Sequence, residues 1–260
     1  MPSPFFFQNI LTRKPPFIDR YSFVFDGVNE YINIDNVLIN SLATTTKGTW
    51  SAWVRPVDGT PAATEVFFGF GDTIGTSSVI TIYSRITTGL LEAFIRQNTT
   101  VKWVLQTNAG AFSDNTWTHI ALVQDGVSPV LYINGVAVAQ TFTNSTDKTW
   151  WFNNDANLDN GRIACNNLGG AGNATFFNGL MDEVGFFNTN LSAAQILEIY
   201  NSGKPKNLLV HSASTNLVFY FRMGDGDTFD GTNWTLYDKK GSNNGTSANM
   251  ENGDLSTIVP

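Results

Sequence analysis

From residue 21 onward the chain alternates apolar and polar positions in short runs, each closed by Gly, Asn or Asp. A period of two marks a strand with one face buried and the other wet. Strands are therefore expected at 21–25, 31–34, 49–54, 66–70, 79–83, 90–96, 102–106, 116–123, 130–133 and 136–142, then at 161–164, 177–187 and 217–222. Asn134-Gly135 falls between two of these runs, and that dipeptide favours the type I′ turn of a tight hairpin. So many short strands, spaced this closely, imply an all-β antiparallel sandwich.

One stretch breaks the alternation. Ser192 has the position of an N-cap with Gln195 three residues on, Leu191 and Ile196 are placed for a hydrophobic staple, and Gly203 and Pro205 stop the run. A single short helix is expected near residues 192–202. Residues 1–20 hold four of the nine prolines and four phenylalanines without periodicity, and read as an N-terminal arm. Residues 21–224 form the sandwich, the stretch 144–173 a long loop with one short strand, and 225–260 a polar extension packed on or trailing from the sandwich.

Composition narrows the function. A net charge of −7 with no run of Lys or Arg opposes a phosphate backbone, so nucleic acid is not an expected partner. The lone Cys165 excludes an intrachain disulfide, and two histidines with one cysteine leave no zinc cluster. No apolar run is long enough to span a membrane. The first residues place their basic groups after the apolar patch and lack a small-residue cleavage site, so they do not read as a signal peptide.

The strand-to-helix stretch FNGLMDEVGFF-NTNLSAAQILEIYNSG, with YSFVFDGVNEYINI near the start and WTHIALVQDGVSPVLYINGVAV in the middle, resembles the laminin-G-like, concanavalin A-like jelly-roll family over residues 21–222. That resemblance implies a jelly roll of the lectin and glucanase type. It also implies one structural calcium, shared by an early acid-Gly pair and a late acid; Asp26, the Gly27 carbonyl and Asp182 match those positions. Alternation places Asp182 on the face of Leu180, Val184 and Phe186, where a carboxylate needs a partner. The alternative is that Asp26 caps a turn and Asp182 accepts backbone N–H bonds. The pattern of Arg222-Met223-Gly224-Asp225, a later Gly-Ser-Asn-Asn-Gly-Thr and a final Val-Pro looks like tails attached to such domains in bacteriophage structural proteins.

A sugar-binding surface needs exposed aromatic faces beside polar amides, and Trp150, Trp151 and Trp103 are the candidates, with core packing as the alternative. Hydrolysis is not expected. The Glu-x-Asp-x-x-Glu spacing of laminarinase-like enzymes is missing, Asp182 and Glu183 as strand neighbours face opposite sides, and His119 and His211 lack a nucleophile context. Asp225, Asp227 and Asp230 fail the EF-hand spacing and read as a turn. Pro4-Phe5-Phe6-Phe7 would be an aggregation hazard unless covered, which favours assembly.

The expected function is a non-enzymatic virion structural protein, a capsid decoration or tail component. Its lectin-like sandwich would face host glycans, and its arm would contact other virion proteins or copies of itself. The alternatives are a cement protein without ligand and a free carbohydrate-binding module of a bacterial glycan-degrading system, at the extracellular surface.

Overall fold

Two antiparallel sheets lie face to face in the computed structural model, which describes residues 17–75, 78–169 and 172–260. The first has eight strands, in the order Val136–Ala137, Val130–Ile133, Thr118–Gln124, Gly48–Pro56, Asn178–Phe187, Ser22–Asp26 and Leu255–Ser256, with Leu217–Phe221 also paired to Asn178–Phe187. The second has ten: Gln140–Ser145, Thr100–Thr107, Leu91–Gln97, Val79–Ser84, Glu65–Gly71, Asn160–Ile163, Tyr31–Asn33, Gly245–Ala248, Trp234–Leu236 and Thr228–Phe229. The all-β sandwich expected from the alternation is the fold.

Alternate residues of each strand meet in the middle. Trp50 of the first sheet reaches Phe68 and Phe70 of the second, at ring centroid distances of 4.9 and 5.2 Å, and its sheet neighbours Phe186 and Phe219 at 4.9 and 5.6 Å. Each aromatic buried here removes a large apolar area from water, which drives the sheets together. On its other face the eight-stranded sheet is also covered. The helix Ala193–Tyr200 lays Ile196 and Ile199 with Leu191 over Val123, Tyr132 and Phe187 in a second apolar cluster. Ser192 accepts from the Gln195 amide at 3.3 Å while Gln195 accepts from the Ser192 amide at 2.9 Å, so the capping box forms. The left-handed turn that ends the helix begins at Asn201 (φ 47°), two residues before the expected Gly203.

Three features differ from the alternation. The run 136–142 is two strands, because after the Asn134-Gly135 turn (φ 49° and 80°) the chain leaves the first sheet at Ala137 and joins the second at Gln140. The C-terminal stretch supplies four strands of the sandwich, three in the second sheet and one in the first. Its Trp234 lies 5.1 Å from the Phe23 ring, in the core. Pro4-Phe5-Phe6-Phe7 lies outside the described residues, but Phe17–Arg20 runs along the sandwich, with Arg222 donating to the Ile18 carbonyl at 2.7 Å.

A chain ending at Gly224 would strip Trp234, Leu236 and Met250 from the core. Losing three such side chains costs roughly 7–15 kcal/mol, comparable with the whole stability of a domain. We expect no cooperative thermal transition from that truncation, measured by near-UV circular dichroism.

His119 is fully buried, its Nε2 2.9 Å from the Ser51 hydroxyl, and burial pushes its pKa down to about 3 from the ordinary 6.5. Below pH 6.5 the unfolded chain takes up a proton that the native state refuses, so stability is complete above that value and falls as pH drops toward 3. His119→Gln should flatten the acid branch of a denaturant-derived stability profile by up to about 1.4 kcal/mol per pH unit.

Candidate functional site

The outer face of the ten-stranded sheet holds a cleft of about 270 Å³. Its floor follows from strand parity. In Leu91–Gln97 the residues Leu91, Ala93 and Ile95 enter the core, so Glu92, Phe94 and Arg96 face out. Phe94 pairs across the ladder with Thr81, and Glu92 with Tyr83, which brings both to the same surface. The wall is the chain from Cys165 to Leu168, pressed onto Gly69 and Gly71. A Cβ at those glycines would sit 2.5 Å from the Cys165 carbonyl and 2.2 Å from that of Asn167, so only glycine admits the wall.

The cleft mixes apolar and polar groups. The half-buried Phe94 ring has the Arg96 guanidinium 5.9 Å from its centroid. Beyond it Arg85 donates to Glu92 at 3.0 Å and to Gln106 at 2.7 Å, and Tyr83 donates its hydroxyl to Glu92. Burial and the Glu92 carboxylate hold the Tyr83 phenol above its ordinary pKa, in the donating form. Two buried polar atoms on the lining, Thr81 Oγ1 and Asn166 Oδ1, have no hydrogen-bond partner among the described residues. Such atoms are costly to bury unless something meets them.

The residues matched to a calcium site do not assemble. Asp26 pairs with Asn178, four positions before Asp182 and about 13 Å away along the strand. Asp26 Oδ1 accepts from the Val28 and Asn29 amides at 2.7 and 3.2 Å, closing a turn, and Gly27 (φ 74°) is needed because a Cβ would meet Asn178 Cβ at 2.7 Å. Parity also breaks near Asp182. The register against Gly48–Pro56 shifts between Asp182 and Gly185, and Glu183 turns left-handed at φ 50°. Val184 and Phe186 therefore enter the core while Asp182 does not, and the Asp182 and Glu183 carboxyls converge instead of opposing each other.

With Asp19 they form a buried acid cluster, one oxygen of each lying within 4.8 Å of the others. Arg222 is the cation beside it, donating to Glu183 at 3.1 Å and to Asp225 at 2.9 Å, with Asp19 at 3.7 Å. Burial lifts Asp182 well above the usual carboxylate range, Asp19 to about 7 and Glu183 to about 8.

The tryptophan platform is corrected as well. Trp103 and Trp151 are fully buried, Trp103 donating to the Trp150 carbonyl at 3.1 Å. Trp150 packs partly on the core, and Lys102 sits over its ring at 3.9 Å. Neither buried indole offers a face to a sugar, and the third is capped by an ammonium. Large aromatics in a β-sandwich close the core before they decorate its surface. Phe94, an aromatic that does face out, has a signal: it stands between Glu92 and Arg96 on the polar side of its strand.

A two-layer sandwich with one sheet capped by a helix and a cleft on the other belongs to the lectin-like all-β class. The family model for the concanavalin A-like lectin/glucanases superfamily, Laminin G 3, matches residues 26–197, and the chain belongs to that family. Among solved structures it is similar to a candidate carbohydrate-binding protein from Bacteroides ovatus (TM-score 0.64, 16% identity), covering 94% of this chain and 61% of that one. It is also similar to the CBM40 of Ruminococcus gnavus IT-sialidase bound to α2,3-sialyllactose (0.56, 14% identity; 69% of this chain, 97% of that one). A third is the NanB sialidase of Streptococcus pneumoniae (0.57, 17% identity), covering 69% of this chain. The chain thus spans 61% of the Bacteroides protein and 28% of the sialidase. No curated protein matches the sequence significantly.

Trp103→Ala should cost about 3–5 kcal/mol of folding stability, as loss of a buried indole does. Urea titration should show a lower midpoint with an unchanged slope, whereas a surface tryptophan would leave both in place.

Proposed function

We propose that this chain is a carbohydrate-binding domain that seats a sugar in the cleft on the outer face of the ten-stranded sheet. The observation that carries the reading is the pairing of an outward aromatic, Phe94, with two buried and unpartnered polar atoms, Thr81 Oγ1 and Asn166 Oδ1, in one concavity. A sugar ring offers the matching chemistry: its C–H face packs on an aromatic face, and its hydroxyls both donate and accept. Arg96 beside Phe94 adds a positive group, so acidic sugars belong in the test panel.

Between the expected settings, the proposal takes the carbohydrate-binding module over the virion component. Similar structures include a candidate carbohydrate-binding protein and a CBM40 bound to sialyllactose. The role is binding without turnover. Glu92, two residues before Phe94 on the same face of its strand, is engaged by Arg85 and Tyr83, and no carboxylate is among the described residues that line the cleft.

Calorimetric titration with a panel of neutral and sialylated oligosaccharides should find a ligand, with no reducing ends released on incubation. Phe94→Ala should then weaken binding by about 1–3 kcal/mol, and Thr81→Val, which removes an unpartnered buried hydroxyl, should weaken it without lowering the melting temperature. A panel without any ligand, or binding indifferent to both substitutions, would overturn the assignment.

A further inference from the structure

The polar side chains on the cleft differ in what their hydrogen atoms are already doing. Among the described residues they are Thr64, Thr81, Tyr83, Arg96, Asn166 and Thr175. Tyr83 gives its one hydroxyl proton to Glu92, and Thr175 gives its own to the Ala174 carbonyl at 2.6 Å. A hydroxyl whose proton is spent can only accept. Thr175 therefore accepts from Asn166 Nδ2, 3.0 Å away, and this bond fixes which way round the Asn166 amide stands. The amide nitrogen faces Thr175, and the oxygen, Oδ1, is the buried atom left without a donor.

Two oxygens that can only accept, Asn166 Oδ1 and Tyr83 Oη, thus border one concavity with the hydroxyls of Thr64 and Thr81, which can do either. A partner for the first two has to bring hydrogen. A carboxylate or sulfate brings none, and set against the buried Asn166 oxygen it would leave two acceptors facing each other with their water removed, a cost that nothing at the contact returns. A sugar hydroxyl or an acetamido N–H brings the missing donor. Arg96 does not reverse this preference. It lies over Phe94, is itself engaged and is only half-buried, so its pull on an anion is screened by solvent, whereas the Asn166 oxygen acts at contact.

Resting on the carbohydrate reading above, we infer that the cleft selects neutral sugars over acidic ones, and that Asn166 and Tyr83 set this selectivity by accepting hydrogen bonds from hydroxyl or amide donors of the ligand. Both residues are held for that role from behind. Thr175 orients the Asn166 amide, while Glu92, itself bonded to Arg85 at 3.0 Å, keeps the Tyr83 proton turned away from the cleft.

The probes are neutral cello-, xylo-, manno- and N-acetylated chito-oligosaccharides and the acidic sialyllactose and oligogalacturonate, titrated calorimetrically into the full-length protein. The tightest neutral ligand should bind at least 10-fold more strongly than any acidic one. Analogues of that ligand with one hydroxyl replaced by fluorine, which cannot donate, should bind at least 10-fold more weakly at one or two ring positions, because a buried acceptor is then left unpaired. Asn166→Leu and Tyr83→Phe should each weaken the parent sugar and abolish the fluorine penalty at one of those positions; a purely structural role would weaken parent and analogue alike. If Asn166→Leu does not fold, the fluorine series on the wild type and the Tyr83 variant still decide. An acidic sugar within 10-fold of the best neutral one, or fluorinated analogues that match the parent at every position, overturns the selectivity and leaves the cleft a sugar site. A fluorine penalty that survives both substitutions overturns the role of Asn166 and Tyr83. If neither kind of sugar binds, the cleft is not a sugar site, and the selectivity falls with it.

Discussion

The contact on which the rest depends is Trp50 against the phenylalanines of both sheets. Phe68 and Phe70 reach it from the ten-stranded sheet, Phe186 and Phe219 from its own, and Phe152 from the loop that closes one end, at 6.4 Å. Because strand side chains alternate, fixing which residues face this cluster fixes which face away. Phe68 and Phe70 inward make Gly69 and Gly71 outward, and Ile95 inward makes Phe94 and Arg96 outward. The cleft is thus a consequence of the core, set by parity.

The two outer faces have opposite fates. On the eight-stranded sheet, Val123, Tyr132 and Phe187 are too apolar to meet water, and the capped helix Ala193–Tyr200 covers them. On the ten-stranded sheet, a loop covers only the glycine strip, so Phe94, Thr81 and Tyr83 stay beside a concavity. A sheet whose outer face is buried can only be structural; one left concave, with aromatic and unpaired polar groups, can select a ligand. That asymmetry is why the functional reading rests on the second sheet.

Much of this was legible in the alternation. The Asn134-Gly135 hairpin, the Ser192 capping box and the Leu191–Ile196 staple are local, and local chemistry decides them. What failed needed three dimensions. The run 136–142 looks like one strand because nothing in it announces that the chain changes sheets at Val138-Ala139. The polar C-terminal stretch looks loosely attached because its strands are short, and their pairing with Tyr31–Asn33 is more than two hundred residues distant in sequence. In sequence Trp103 and Trp151 are open between a sugar-facing surface and core packing; in space they close the core.

The deepest misreading concerns the strand Asn178–Phe187, and its cause is a single residue. Strict alternation sets Asp182 beside Val184 and Phe186 and turns Glu183 away. One left-handed residue reverses both relations, and it does so where this strand changes partners, from Ser22–Asp26 along its first half to Leu217–Phe221 along its second. A bulge at that junction lets one strand serve two neighbours of different register. It also leaves two carboxyls pointing into the seam between them, where Asp19 from before one neighbour and Arg222 from the end of the other converge. The acid cluster is therefore the electrostatic imprint of a topological join, and Arg222, reaching Asp19 and Glu183, links three separate parts of the chain at once.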